Sequence, residues 1–171
     1  MLRDGHSNFK FFQALYPQEI RATDLTGVDI DTQGFESLTV VVNIGNLSEV
    51  SGASYVALIL QHTDASALGA GPSTYALVSA TDILGLPDDV TALTSGICRT
   101  IGTLNSAVGT SICGSRAVAI GYIGTKRYVR LYVDCVGTVA TASDAIGAIA
   151  VLGYPAKWPV NEKLSTIDIS L

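Results

Sequence analysis

Apolar and polar residues alternate with a period of two in several stretches of this chain, and glycines interrupt every longer run that a helix could use. The clearest case is 128–135, where Tyr128, Arg130, Tyr132 and Asp134 alternate with Val129, Leu131, Val133 and Cys135. That spacing predicts a strand with one wet face and one face in a core. The run before it, 115–123, is separated from it by Gly124-Thr125, so the pair predicts a β-hairpin over 115–136. Residues 35–45 alternate at first and then become apolar on both faces, with many β-branched side chains, which predicts a central strand. A strand is also predicted over 55–63, where the run is too short for a helix and has Ser-Gly before it and Thr-Asp-Ala-Ser at its end. Further strands are expected at 74–81 and at 145–155, the latter ended by Gly153 and Pro155.

Between these lie turn and loop signals at 29–34, 46–48 and 66–72. The segment 82–114 has too many glycines for a long helix and reads as a long excursion with short strands. At the start, residues 1–12 read as an arm leading into a first strand, with Phe9 and Phe11 on one side and Phe12 on the other. These rings either anchor a neighbour or close one end of the core. The tail from 156 carries Trp158 and an alternating piece at 164–171, which either returns to the sheet or extends to a neighbour. Seven or eight strands without a helix describe an all-β, single-domain, two-sheet β-sandwich, and a jelly-roll-like one is expected.

Composition sharpens this picture. The chain has 171 residues, enough for one domain with its own core, and 48% of them are hydrophobic while 15% are charged. So little charge leaves apolar surface that a partner must cover, and a homo-oligomer is expected. The net charge of −5 and the ten scattered basic residues argue against nucleic acid and against anionic membranes as partners. No apolar leader or membrane-spanning run stands out, and synthesis in the cytoplasm is expected. Cys98, Cys113 and Cys135 are expected as reduced thiols, with a Cys98–Cys113 bridge as the alternative.

Chemistry is sparse. His6 and His62 are the only histidines, and although Asp64 follows His62, no recognised motif ties a nucleophile to that pair. The cysteines lack metal-binding spacing, the glycine clusters at 69–71 and 121–124 lack a phosphate-loop ending, and the carboxylates Asp29, Asp31, Asp88 and Asp89 form no regular calcium loop. No catalytic residue, metal or cofactor is expected. Arg127 and Arg130 interleave with Tyr128 and Tyr132. That mixture is enriched at protein interfaces, and its alternative is a sheet face whose arginines are paired locally.

The strings Tyr122-Ile123-Gly124-Thr125-Lys126-Arg127-Tyr128-Val129-Arg130-Leu131 and 148–155, with Pro159, Asp31-Thr32-Gln33-Gly34-Phe35-Glu36-Ser37-Leu38 and the opening Arg3-Asp4 with His6, resemble small structural proteins from the head-gene region of tailed bacteriophages and phage-like particles. The resemblance implies a virion component on the capsid surface. It would be a capsid decoration or cement protein that joins as a trimer or at quasi-symmetric positions and contacts the major capsid protein. Phe9, Phe11, Phe12, Arg127, Tyr128, Arg130, Tyr132 and Trp158 are its candidate interface residues. The alternatives are a head fibre, spike or tail-associated subunit binding a host-surface glycan, and, further off, a jelly-roll or cupin-like enzyme.

Overall fold

A computed structural model of the chain describes residues 8–20, 23–45, 55–64, 75–85, 97–101, 116–136 and 145–156. Eleven strands lie among them: β1 Phe9–Glu19, β2 Leu25–Thr26, β3 Ile30–Asp31, β4 Phe35–Ile44, β5 Tyr55–Thr63, β6 Ala76–Leu77, β7 Ile83–Leu84, β8 Ile97–Ile101, β9 Arg116–Tyr122, β10 Tyr128–Val136 and β11 Ala145–Pro155. The long ones are those in which β-branched and aromatic residues recur on alternate positions. The described residues contain no α-helix, and Ala80–Asp82 form a 3-10 turn.

All pairs are antiparallel and fall into two sheets. One runs β1-β11-β4-β9-β7, and the other runs β2-β10-β5-β6. β3 also pairs with β10, and β8 with β5. β2 and β3 therefore follow one another along the same edge of β10, Thr26 opposite Tyr132 and Asp31 opposite Tyr128. β1 carries two irregularities of register, between Gln13 and Leu15 and between Leu15 and Gln18, and these bend it along the edge of its sheet.

The core fills the space between the sheets. Leu38, Val40, Val42 and Ile44 of β4, Ile146, Ala148, Ala150 and Leu152 of β11, and Val118, Ile120 and Tyr122 of β9 come from one side. Val56, Leu58 and Leu60 of β5 and Val129, Leu131 and Val133 of β10 come from the other. Each buried leucine, isoleucine or valine of this kind stabilises by about 1.5–3 kcal/mol relative to exposure. This is a two-sheet, sandwich-like, all-β fold, as the alternation predicts.

Some elements differ from the sequence-based expectation. The hairpin over 115–136 is not formed: β9 pairs with β4 and β7 in one sheet, and β10 with β2, β3 and β5 in the other. The connection from Ile123 to Arg127 crosses between sheets, held where Ile123 N–H donates to the Asp82 carbonyl (2.9 Å) and Lys126 N–H to the Tyr122 hydroxyl (3.0 Å). Pairing of the first strand begins at Phe9, opposite Gly153, so 9–12 belong to an edge strand and not to an arm. The 74–81 strand shrinks to Ala76–Leu77 before the 3-10 turn, and the 82–114 excursion contains β7 and β8. Trp158, the 164–171 piece and Cys113 lie outside the described residues.

Candidate functional site

The outer face of the five-stranded sheet is built from the residues that alternate with its core positions. Register across the sheet arranges them in four rows. Phe9, Gly153 and Ser37 form the first, and Phe11, Val151, Thr39, Gly121 and Leu84 the second. Gln13, Ile149, Val41 and Ala119 form the third, and Gly147, Asn43 and Ala117 the fourth, where Pro17 leans on Gly147 from the edge. None of these side chains is charged. Among the described residues Glu19 is the carboxylate in register with this face, at the far end of β1 opposite Ala145.

The face is apolar as well as uncharged. Phe11 is 50% exposed, Ile149 48% and Leu84 53%. Gln13, the longest polar side chain in the rows, turns its amide onto the sheet, donating to the Leu15 carbonyl (2.7 Å) and the Ala148 carbonyl (3.1 Å). Its hydrogen-bonding capacity is thus partly used by the bent backbone of β1. Towards the fourth row the side chains become small and the surface sinks into a shallow hollow of about 740 Å³, floored and rimmed by Pro17, Val41, Asn43, Ala117, Gly147 and Ile149 among others. Contiguous exposed apolar surface of this sort marks contact with another molecule.

The outer face of the other sheet has the opposite character. Arg127 grips Asp31 with two bonds, Nε to Oδ1 (2.9 Å) and a terminal nitrogen to Oδ2 (2.7 Å), and lies over the Tyr128 ring (4.9 Å). The guanidinium holds the Asp31 carboxyl below the usual carboxylate range. Arg130 donates to Gln61 Oε1 (2.8 Å) and stacks on Tyr75 at 3.8 Å. The Tyr132 hydroxyl donates to Asp24 (2.6 Å), which also accepts the Cys135 N–H (3.0 Å). These two donors hold Asp24 low, and the carboxylate in return pushes the Tyr132 phenol up to about 12. Burial, with Asp24 and Asp134 adding to it, pushes the Cys135 thiol up to about 11, which leaves it a poor nucleophile near neutrality.

At one end of the sandwich His62 of β5 meets Tyr122 of β9. His62 Nδ1 lies 3.0 Å from the Tyr122 hydroxyl, and the rings stand edge to face at 84°. That hydroxyl already accepts the Lys126 N–H at 3.0 Å, and its distance to the Lys126 carbonyl is 3.5 Å. The hydroxyl can donate to the Lys126 carbonyl while it accepts the Lys126 N–H, and the imidazole tautomer sets the direction of its bond to Nδ1. Burial lowers the His62 value and raises that of Tyr122, which makes the pair a tie between sheets. Lys126 forms an ion pair with Asp64 beside it. Among the described residues no group of three His, Cys, Asp or Glu side chains could hold a metal ion, and no helix is long and apolar enough to cross a membrane.

Of the residues singled out from sequence, Phe9 and Phe11 stand on the uncharged face, while Phe12 turns inward against the core with Lys10 over its ring (4.5 Å). Arg127, Tyr128, Arg130 and Tyr132 share the other outer face, where Arg127, Arg130 and Tyr132 bond to neighbours in the same chain. The sequence reading missed Val41, Ile149, Val151 and Leu84. Val41, Ile149 and Val151 lie in strands that are apolar on both faces, where alternation does not tell an outer position from a core one, and Leu84 falls in the turn-like start of the 82–114 excursion. Comparison with known proteins yields no match: no family model, no curated protein and no solved structure is similar to this chain.

Proposed function

We propose that this chain is a virion structural protein without enzymatic activity, a capsid decoration or cement subunit that stabilises a tailed-phage-type head through protein contacts. The observation that carries this reading is the uncharged outer face of the five-stranded sheet, whose exposed Phe11, Ile149 and Leu84 call for a protein partner. A subunit that touches several shell proteins at once makes their separation cost several contacts together.

Strand order supports a jelly-roll-like fold for that role. With β2 and β3 counted as one edge and β6 and β8 as the other, each sheet interleaves early and late parts of the chain, β1-β11-β4-β9 in one and β2/β3-β10-β5-β6/β8 in the other. Two Greek keys folded together produce such an order, and capsid, lectin and cupin domains all use it. A glycan platform needs polar groups beside its aromatics. The hollow here is lined mainly by Ala, Gly, Val, Ile and Pro, which favours the protein contact.

The test is to purify phage-like particles from the organism that encodes the chain and image them. The chain is expected in fixed stoichiometry with the shell, as density on its outer surface, and particles lacking it are expected to lose their contents at lower temperature. Its absence from purified particles, or unchanged heat resistance without it, would overturn the proposal.

A further inference from the structure

We infer that the partner covering the uncharged face is a second copy of this chain, paired face to face about a two-fold axis that runs crosswise along the row Gln13, Ile149, Val41 and Ala119. The inference rests on reading that face as a protein contact; it gives the face to a second copy and leaves the contacts of the pair with a shell to the surfaces outside it.

The tall and low parts of the face are arranged for such pairing. The second row carries Phe11, Val151 and Leu84, whereas the fourth carries Gly147, Asn43 and Ala117 over the hollow. A crosswise axis on the third row sets each copy's tall row over the other's low row. Val151 then faces Gly147, Thr39 faces Asn43, and Phe11 meets Pro17. Val41 and Ile149, on the axis, face their own counterparts. Both complementary features lie on one face, so a single contact satisfies both only when the faces are opposed, which is the isologous, two-fold arrangement. A ring of three would need two different faces from each copy.

Size and charge agree with this occupant. Strands about 4.8 Å apart, rising about 3.4 Å per residue, give roughly 550 Å² in projection for four strands over the span from Ser37 to Gly45, which an axis on Val41 maps onto itself. Two copies supply about twice that, and side chains that stand up from a sheet expose more area than its projection. The pair thus reaches the roughly 1,000–1,200 Å² that a specific interface requires. The chain carries a net charge of −5, and two acidic copies approach with least repulsion through a face whose four rows are uncharged and whose described carboxylate, Glu19, stands at its far end. A pair also presents two copies of the remaining surface, so it attaches to a shell bivalently, and the second attachment gains from effective concentration.

Light scattering or native mass measurement of the full-length protein at micromolar concentration should give a dimer. Ile149→Arg places an unpaired charge on the axis at an exposed site. It should raise the dimer dissociation constant by roughly thirtyfold or more while leaving the circular dichroism spectrum unchanged. Val41→Cys should form a covalent dimer on mild oxidation, above the background of the wild-type thiols, and Gln33→Cys should not. A monomer, a trimer, or a dimer that Ile149→Arg leaves intact and Val41→Cys fails to cross-link would overturn the pairing. The two readings fail separately. A chain found on heads but monomeric in solution sinks the pairing alone, and a dimer absent from particles sinks the virion assignment alone.

Discussion

His62 and Tyr122 show how one hydrogen bond between the sheets makes stability depend on pH. His62 Nδ1 and the Tyr122 hydroxyl are hydrogen-bonded at 3.0 Å. Protonation would put a positive charge on a partly buried imidazole close to the Lys126 ammonium. Burial holds the folded-state value of His62 below its ordinary 6.5, against the pull of Asp82 and Asp64. The unfolded chain therefore binds this proton more tightly, and the stabilisation is fully present above about pH 6.5 and is lost as pH falls from there through the lower folded-state value. Asp24 and Asp31 are also held low, but their ordinary value is 3.8, so the stability they contribute is lost only in more acidic solution. Urea denaturation should give a lower midpoint at pH 5.5 than at pH 7.5, and His62→Gln should flatten that difference. An equal pH dependence in both proteins would show that the imidazole is not its source.

At the scale of elements, the contact between the sheets along one edge depends on a residue with no side chain. Gly27 follows β2, and its N–H donates to the Leu131 carbonyl of β10 (2.8 Å) while the next residue, Val28, donates to the Ala14 carbonyl of β1 (2.8 Å). The chain here runs between strands of opposite sheets. A Cβ on Gly27 would collide with the Ala14 carbonyl oxygen and lie 2.7 Å from that of Leu131. Both obstacles are backbone, so neither can turn away. Gly27→Ala should therefore cost about 1–3 kcal/mol, read as a lower thermal or urea midpoint, and a neutral result would mean that the edge is looser than these distances. The strands themselves were legible in the chain because alternation is a local property, and Val129, Leu131 and Val133 all lie inward as their spacing implies. Which strands pair was not legible. Gly124-Thr125 carries the chemistry of a turn but sits in a crossing between sheets, where Gly124 is packed against the Tyr122 ring. Local chemistry can specify a change of direction without specifying which sheet receives the next strand. The uncharged face was hidden for a related reason: a strand apolar on both sides reads as buried whether its second cover is its own chain or another one.

For the whole molecule, the two outer faces make opposite statements about association. The β10 face carries charge that is engaged within the chain through Arg127–Asp31 and Lys126–Asp64. These pairs are exposed and contribute little in water. The β4 and β11 face has no charged rows and contributes through apolar area alone. Salt separates the two. At about 1 M the Debye length falls to about 3 Å, so contacts that depend on surface charge weaken. An apolar contact is unaffected by that screening, and sulfate strengthens it because the ion is excluded from the surface. The dimer should therefore persist in about 1 M sodium chloride and tighten in sodium sulfate, with a thermal midpoint that rises with protein concentration as mass action requires. If sedimentation instead shows the dimer dissociating as sodium chloride is added, the association runs through the arginine and tyrosine face, and the apolar rows of the first sheet face something other than a second copy.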